Sequence, residues 1–277
     1  MTSIPTFKIG AVEVDELIVL INDYSGYDFS DYSMPSLHRR FQRYIDLNKI
    51  SDFNQLLQDL MNDSSMINNL IEEVTVNVTE VFRDPCFFAA IRSDLVPQLN
   101  KLPVIKIWHA GCSTGEEVYS MAILLKEHDL LHKSIIYATD INQTVLDIAK
   151  SAKYSIESFK ETEFNYRESE GTGKLADYYT VSNGEILMNE DLKSKIIFST
   201  HNLVSDSAFN HFDLIICRNV LIYFNKSLQD NVLQMFYNSL TENGILAIGS
   251  KETLLFSPID SKMQVVNAKW KIWKKKE

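Results

Sequence analysis

The sequence predicts an α/β chain: a mostly parallel sheet with helices on its faces and a small inserted antiparallel β subdomain, preceded by an all-helical N-terminal domain. Three observations predict it. Up to about residue 100, apolar residues recur at helical spacing. Beyond that point short β-type runs alternate with helical ones, the pattern of a sheet whose strands are joined by helices. Between Ser151 and Lys195 this alternation breaks into a polar, aromatic segment with hairpin signals.

The elements follow in order. Leu37, Phe41, Tyr44 and Ile45 form one apolar stripe and Phe53, Leu56, Leu57 and Leu60 another. Asp52 and the Asp63-Ser64-Ser65 run stand where helix caps belong. On the helix predicted from Met34 to Asn48, Arg39, Arg40 and Arg43 fall opposite the apolar stripe, as a basic face toward solvent. The N-terminal domain is placed at residues 1–82 and the sheet domain at 83–277. Strands are predicted at Val104 to His109, Ser134 to Thr139, Lys195 to Ser199, Phe212 to Cys217 and Gly244 to Ile248. Helices are predicted at Glu116 to Glu127, Gln143 to Ala149 and Ser227 to Leu240. Within the insertion, at about 151–195, Asp177 to Val181 and Glu185 to Met188 alternate around Asn183-Gly184, a hairpin turn. Met263 to Val266 and Trp270 to Trp273 close the chain as an antiparallel hairpin.

Composition removes several function classes. A chain of 277 residues that is 45% hydrophobic has length enough for a large core. Its start, MTSIPTFKIG, lacks a basic flank followed by an apolar run, and Leu17 to Ile21 is far too short to span a bilayer. Neither secretion nor direct membrane insertion is expected. Cys86, Cys112 and Cys217 form no CxxC pair and no Cys/His ligand spacing, so reduced thiols in a cytosol and no metal site are expected. A net charge of -10 argues against a phosphate-tracking surface, so no nucleic-acid partner is expected. The basic KWKIWKKKE end reads as a solvated tail.

Three segments carry chemistry. In IKIWHAGCSTGEEVYS a strand runs into Gly111-Cys112-Ser113-Thr114-Gly115 and then a helix, the place where doubly wound sheets bind nucleotides. Ser113 and Thr114 stand where a dinucleotide fingerprint needs its middle glycine, and Glu116 and Glu117 would repel a phosphate. An ammonium and a sulfonium suit such a turn better. Acidic residues in a first helical turn are also ordinary complements to the helix dipole, and that reading stays open. In Ala138-Thr139-Asp140-Ile141-Asn142 a carboxylate ends the second strand, suited to ribose hydroxyls, while Asn142 or Asp140 itself suits a helix cap. In FDLIICRNVLIYF, Arg218 and Asn219 follow a strand end that faces the ligand crevice; Arg218 as a domain-interface ion pair, and Tyr223 with Phe224 as core, are the structural alternatives.

Taken in order, TVNVTEVFRD, AGCSTGEEVYS, YATDIN, FSTHNL and CRNVLIYF resemble the CheR family of chemotaxis-receptor glutamate O-methyltransferases, over nearly the whole chain. The resemblance implies a Rossmann-like methyltransferase domain that binds S-adenosyl-L-methionine and releases S-adenosyl-L-homocysteine. It places cofactor contacts at Asn77, Thr79, Arg83, Glu117, Asp140, Asn202, Leu203, Arg218 and Asn219, with Gly111 in the turn beside them. Arg83 and Tyr223 are the implied catalytic pair: Arg83 for the cofactor carboxylate or the incoming glutamate, Tyr223 near the transferred methyl. The implied partner is the cytoplasmic helical domain of a chemotaxis-type receptor, met through Arg39, Arg40 and Arg43. Val118 replaces a common proline, and Gly249-Ser250-Lys251-Glu252 stands for the family's Gly-His-Ser-Glu. A glutamate has a reference pKa near about 4.3, so at neutral pH it attacks as a carboxylate and needs no general base. A nicotinamide dehydrogenase would use the same sheet but wants the missing glycine. A non-catalytic S-adenosylmethionine sensor or scaffold is the other alternative.

Overall fold

The computed structural model describes residues 6–75 and 79–276, which fall into two compact units. Residues up to Asn77 make one unit together with Ile222–Gln229; Val78–Leu221 and Asp230–Glu277 make the other.

The first unit holds α1 (Ala11–Ser25), α2 (Met34–Leu47), α3 (Phe53–Asn62) and α4 (Ser64–Thr75). The apolar stripes are its core: Leu37, Phe41, Tyr44 and Ile45 of α2 are buried with Leu56 and Leu60 of α3 and Ile67, Leu70 and Ile71 of α4. Asp52 caps α3 by accepting from the Gln55 amide at 3.0 Å, and Asp63 accepts from the Ser65 amide at 2.9 Å. Arg39 and Arg43 are exposed, as expected of a basic face. Arg40 departs from that expectation, because Glu73 on α4 draws it in: its guanidinium lies 3.7 Å from the Glu73 carboxylate and its side chain is only 18% exposed. The same carboxylate oxygen takes Arg43 at 2.6 Å. A late segment completes the unit. Ser33 N–H donates to the Tyr223 carbonyl at 2.8 Å, Asn225 N–H to the Asp31 carbonyl at 2.9 Å, and Tyr32 meets Phe224 edge-on at 5.1 Å.

The second unit opens with α5 (Pro85–Ala90), a π-helical turn at Ile91–Leu95 and α6 (Val96–Leu99). Then come β1 (Ile105–Ala110), α7 (Glu116–Glu127), β2 (Ser134–Asp140) and α8 (Gln143–Ser151). The insertion supplies β3 (Lys153–Ser155), α9 (Thr162–Glu168), β4 (Tyr179–Ser182), β5 (Glu185–Met188) and α10 (Glu190–Lys193). The chain returns through β6 (Ile196–Thr200), β7 (Phe212–Cys217), α11 (Lys226–Ser239), whose first turn belongs to the other unit, and β8 (Leu240–Ile248). It closes with β9 (Met263–Asn267) and β10 (Ile272–Lys275).

The main sheet runs β6-β2-β1-β7-β8-β10-β9, its first five strands parallel and the closing hairpin antiparallel. Strand order reverses between β1 and β7, so the crevice for a ligand opens at their C-terminal ends. A separate three-stranded sheet, β3-β5-β4, is the inserted subdomain. Asn183 and Gly184, at φ of 52° and 79°, make the tight turn that joins β4 to β5. Trp108 of β1 is fully buried among Phe209, Phe212 and Phe236, and α7 is buried on most sides, which explains its nearly continuous apolar run.

Candidate active site

The turn after β1 is shaped by two glycines with positive φ, Gly111 at 78° and Gly115 at 93°. A Cβ on Gly111 would come within 2.4 Å of a Val220 methyl and one on Gly115 within 2.9 Å of Ala149, so only glycine fits either place. The amides of Gly111 and Cys112 both donate to the Thr139 carbonyl, at 2.8 and 2.9 Å, and tie the turn to the end of β2. Asp140 completes the tie: its carboxylate accepts from the Ser113 amide at 2.8 Å and the Asn142 amide at 3.0 Å. Burial raises its pKa, and these amide donors act against the rise. Asn142 caps α8 through the Thr144 amide at 2.8 Å. Ser113 Oγ and Asn142 Nδ2, on the two residues whose amides hold Asp140, are buried with no hydrogen-bond partner.

Glu117, in the first turn of α7, is held on both oxygens. His109 Nδ1 lies 3.1 Å from Oε1, and Arg218 Nη1 donates to Oε2 at 2.8 Å. Arg218 reaches Asp84 with its other terminal nitrogen at 2.5 Å, and its guanidinium lies over the Phe87 ring at 4.0 Å. Burial alone would raise the Glu117 pKa, but the His109 hydrogen bond and the Arg218 charge outweigh it and hold the group at about 2. Its neighbour differs. Glu116 accepts from Thr114 Oγ1 at 2.6 Å, and burial raises its pKa to about 7. The two adjacent acids are therefore different objects: Glu117 is a fixed anion, Glu116 a carboxyl that titrates near neutrality.

The remaining expected residues are placed unevenly. Asn219 follows Arg218 at a φ of 62°, a left-handed conformation that holds the strand-end loop in an unusual course. The next amide, Val220 N–H, donates to Glu252 at 3.0 Å, and Gly249 N–H donates to the other oxygen of the same carboxylate. Glu252 is buried and joins the ends of β7 and β8, while Lys251 is exposed. His201 N–H donates to the Asp140 carbonyl at 3.1 Å, which brings the Asn202-Leu203 stretch to this edge. Asn202 spends its side-chain oxygen on the Val204 amide at 2.9 Å, and Leu203 is half-buried. Thr79 and Arg83 are half-buried, Tyr223 is half-buried in the other unit, and Asn77 lies outside the described residues. Gly111, Glu117, Asp140, Arg218 and Asn219 thus come together. Residue-by-residue reading missed His109 and Asp84. Their one signal is polarity out of pattern: a histidine inside an apolar strand run, and an acid directly after Arg83.

The arrangement fits S-adenosylmethionine. A half-buried, ionised carboxylate suits an ammonium, and the unpartnered Ser113 Oγ and Asn142 Nδ2 beside Asp140 suit a hydroxyl-bearing ribose. The comparisons agree. The model of the CheR methyltransferase S-adenosylmethionine-binding domain matches residues 77–272, and that of the CheR methyltransferase all-alpha domain matches residues 13–75. A provisionally named methyltransferase, Cher3 of Pseudomonas putida, is 43% identical over 95% of this chain and 97% of its own. The chemotaxis protein methyltransferase of Listeria innocua is 30% identical over 87% of this chain and 90% of its own. Chemotaxis protein methyltransferase 1 of Vibrio cholerae is 32% identical over 74% of this chain and 76% of its own. The match to a 104.1 kDa protein of Rhodobacter capsulatus spans only 27% of that protein. With both of its domains matched in order, the chain belongs to the CheR family of S-adenosylmethionine-dependent methyltransferases.

Proposed function

We propose that this methyltransferase esterifies glutamate side chains on the cytoplasmic helical domain of a chemotaxis-type receptor, giving glutamyl methyl esters in the cytoplasm. The observation that carries the reading is the ionised Glu117, fixed on both oxygens at the mouth of the glycine turn. The chemotaxis names of the Listeria and Vibrio relatives support the substrate class. When bound, S-adenosylmethionine supplies an electrophilic methyl on a positively charged sulfur. Glu117 would take its ammonium, Asp140 with Asn142 and Ser113 the ribose, and Asn202 and Leu203 the base. Arg83 would pair with a carboxylate, of the cofactor or the acceptor, and Tyr223 would border the acceptor. Because a glutamate is already ionised at neutral pH, the protein need only orient it in line and exclude water.

The test is transfer of a labelled methyl group to isolated receptor cytoplasmic domains. A base-labile label that maps to glutamate is the expected result. Binding of S-adenosylhomocysteine with no transfer to any receptor domain would instead identify a non-catalytic sensor, the second reading.

A further inference from the structure

The apolar surface of α1 is wider than the core of its unit uses. Val14, Leu17, Ile18 and Ile21 are buried, yet Val12 and Val19, on one side of the helix at a spacing of two turns, are exposed. α3 repeats the pattern. Leu56 and Leu60 are buried, while Leu57 and Met61, one position further on, are half-buried and exposed. Between the two helices these side chains, with Leu20 and Tyr24, line an open groove of about 450 Å³ wholly within the N-terminal unit.

The groove also has a sign. Exposed Asp15, Glu16 and Asp23 line it, and among the described residues no basic side chain does. Every charged residue of α1 and α3 is an acid, whereas α2 of the same unit carries Arg39, Arg40 and Arg43. Charge is thus segregated by helix, with a positive face on α2 and a negatively rimmed apolar groove between α1 and α3. The proposed glutamate-bearing acceptor suits the first and is repelled by the second. A second copy of this chain, at a formal -10, is repelled as well.

We propose that the α1/α3 groove is a docking site for a further protein partner, which it takes as an amphipathic helix whose apolar stripe is flanked by lysine or arginine. Along α1 the groove runs from Val12 to Tyr24, about 18 Å at 1.5 Å per residue, or three turns and more of a helix laid beside it. Such a helix sets anchors at i, i+3, i+4 and i+7 against Val19, Leu57 and Met61, and its flanking cations against Asp15, Glu16 and Asp23. Tyr24 and Met61 are of the residue types enriched at interfaces. A partner held here leaves the basic face of α2 open to the acceptor.

A chain that is negative overall attracts any cationic peptide, so docking has to be separated from bulk charge. The probe is a synthetic helix of about 18 residues with a leucine stripe flanked by lysines, titrated calorimetrically into the full chain at low salt. The unaltered protein should bind it. The same peptide with its leucines replaced by serine, or its lysines by glutamate, should bind about tenfold more weakly or worse. Val19→Asp is the deciding variant. It adds a negative charge, so bulk attraction would tighten binding, whereas docking on the apolar lining requires a loss of about tenfold or more. Because Val19 is 59% exposed, the thermal melt should hold; if it falls, Met61→Asp on α3 decides instead. No binding by the unaltered protein, equal binding of either altered peptide, or equal or tighter binding by the deciding variant overturns the proposal. Sedimentation of the protein alone tests the other occupant. A dimer that the same variant dissociates would make the groove a contact between two copies and overturn the partner helix.

Discussion

Glu116 and Glu117 share one helical turn, yet Thr114 is the hydrogen-bond partner of the first while His109 and Arg218 hold the second. Their contributions to stability therefore carry opposite signs. Glu117, with its pKa held at about 2, stabilises the fold above the ordinary carboxylate range, and that contribution is lost as pH falls toward 2. Glu116, raised from 4.5 to about 7, binds its proton more tightly folded than unfolded. Its contribution is fully present below pH 4.5 and is lost as pH rises toward 7, up to roughly 3 kcal/mol at 1.36 kcal/mol per pH unit. Glu116→Gln keeps a partner for Thr114 and removes the ionisation. It should raise the melting temperature at pH 8 and leave it nearly unchanged at pH 5; an equal shift at both values would mean that Glu116 does not titrate as described. Asp140 has a structural duty besides its proposed ligand duty, since two backbone amides, one of them buried, donate to it. Asp140→Ala leaves both donors unpaired, each at about 1–3 kcal/mol. Thermal melts should fall by several degrees, roughly 2–4 °C per kcal/mol for a chain of this size. Calorimetry should show weaker binding of S-adenosylhomocysteine as well. An unchanged melt would show that the turn stands without Asp140.

Among the elements, the π-helical turn Ile91–Leu95 carries Arg92, and Arg92 pins the insertion. Its guanidinium lies 2.5 Å from Glu127 at the end of α7, and its Nε donates to the Ser169 carbonyl at 2.8 Å. The other Glu127 oxygen accepts from the Thr172 amide at 3.0 Å, the Gly173 amide at 3.3 Å and the Tyr166 hydroxyl, whose pKa burial and Glu127 push upward. Breaking such a buried pair by removing one partner costs about 3–5 kcal/mol, because the other charge is stranded. Glu127→Ala should therefore destabilise the chain and speed amide hydrogen exchange at Ser169 to Gly173. Unchanged exchange there would release the clamp from its role. None of this clamp is legible in the sequence, since its partners lie up to 77 residues apart and follow no period. The sheet is legible because its strands are apolar runs ended by glycines and charges, and for the same reason Gly111, Glu117, Asp140 and Arg218 stand out. β3 is not legible, being three residues long with one buried. Nor is the return of Ile222–Gln229 to the N-terminal unit, which local periodicity cannot report. His109 and Asp84 acquire meaning only through Glu117 and Arg218, which come from other parts of the chain.

At the scale of the whole molecule, the difficulty is charge. The chain carries a formal -10, and the proposed acceptor presents glutamates, so long-range repulsion opposes their encounter. A local positive surface must offset it, and Arg39 and Arg43 on α2 are exposed cations of the right sign. Arg40 is better left in place: it is largely buried against Glu73, and reversing it would strand two like charges. Arg43 also pairs with Glu73, but its side chain is 57% exposed, and such pairs contribute at most about 1 kcal/mol. Reversal of Arg39 and Arg43 to glutamate should thus leave the fold intact. Surface charge acts mainly on the association rate and is screened over about 10 Å at 0.1 M salt. The double variant should methylate receptor domains more slowly at low salt, with a flatter salt dependence, and reach the rate of the unaltered protein at high salt. Its affinity for S-adenosylhomocysteine should not change, since both arginines lie in the N-terminal unit and the proposed cofactor contacts Glu117 and Asp140 lie in the other. A double variant as fast as the unaltered protein at low salt would make this face an ordinary solvated surface. Docking would then be sought on the inserted β3-β5-β4 sheet, where exposed Val181 offers a first substitution.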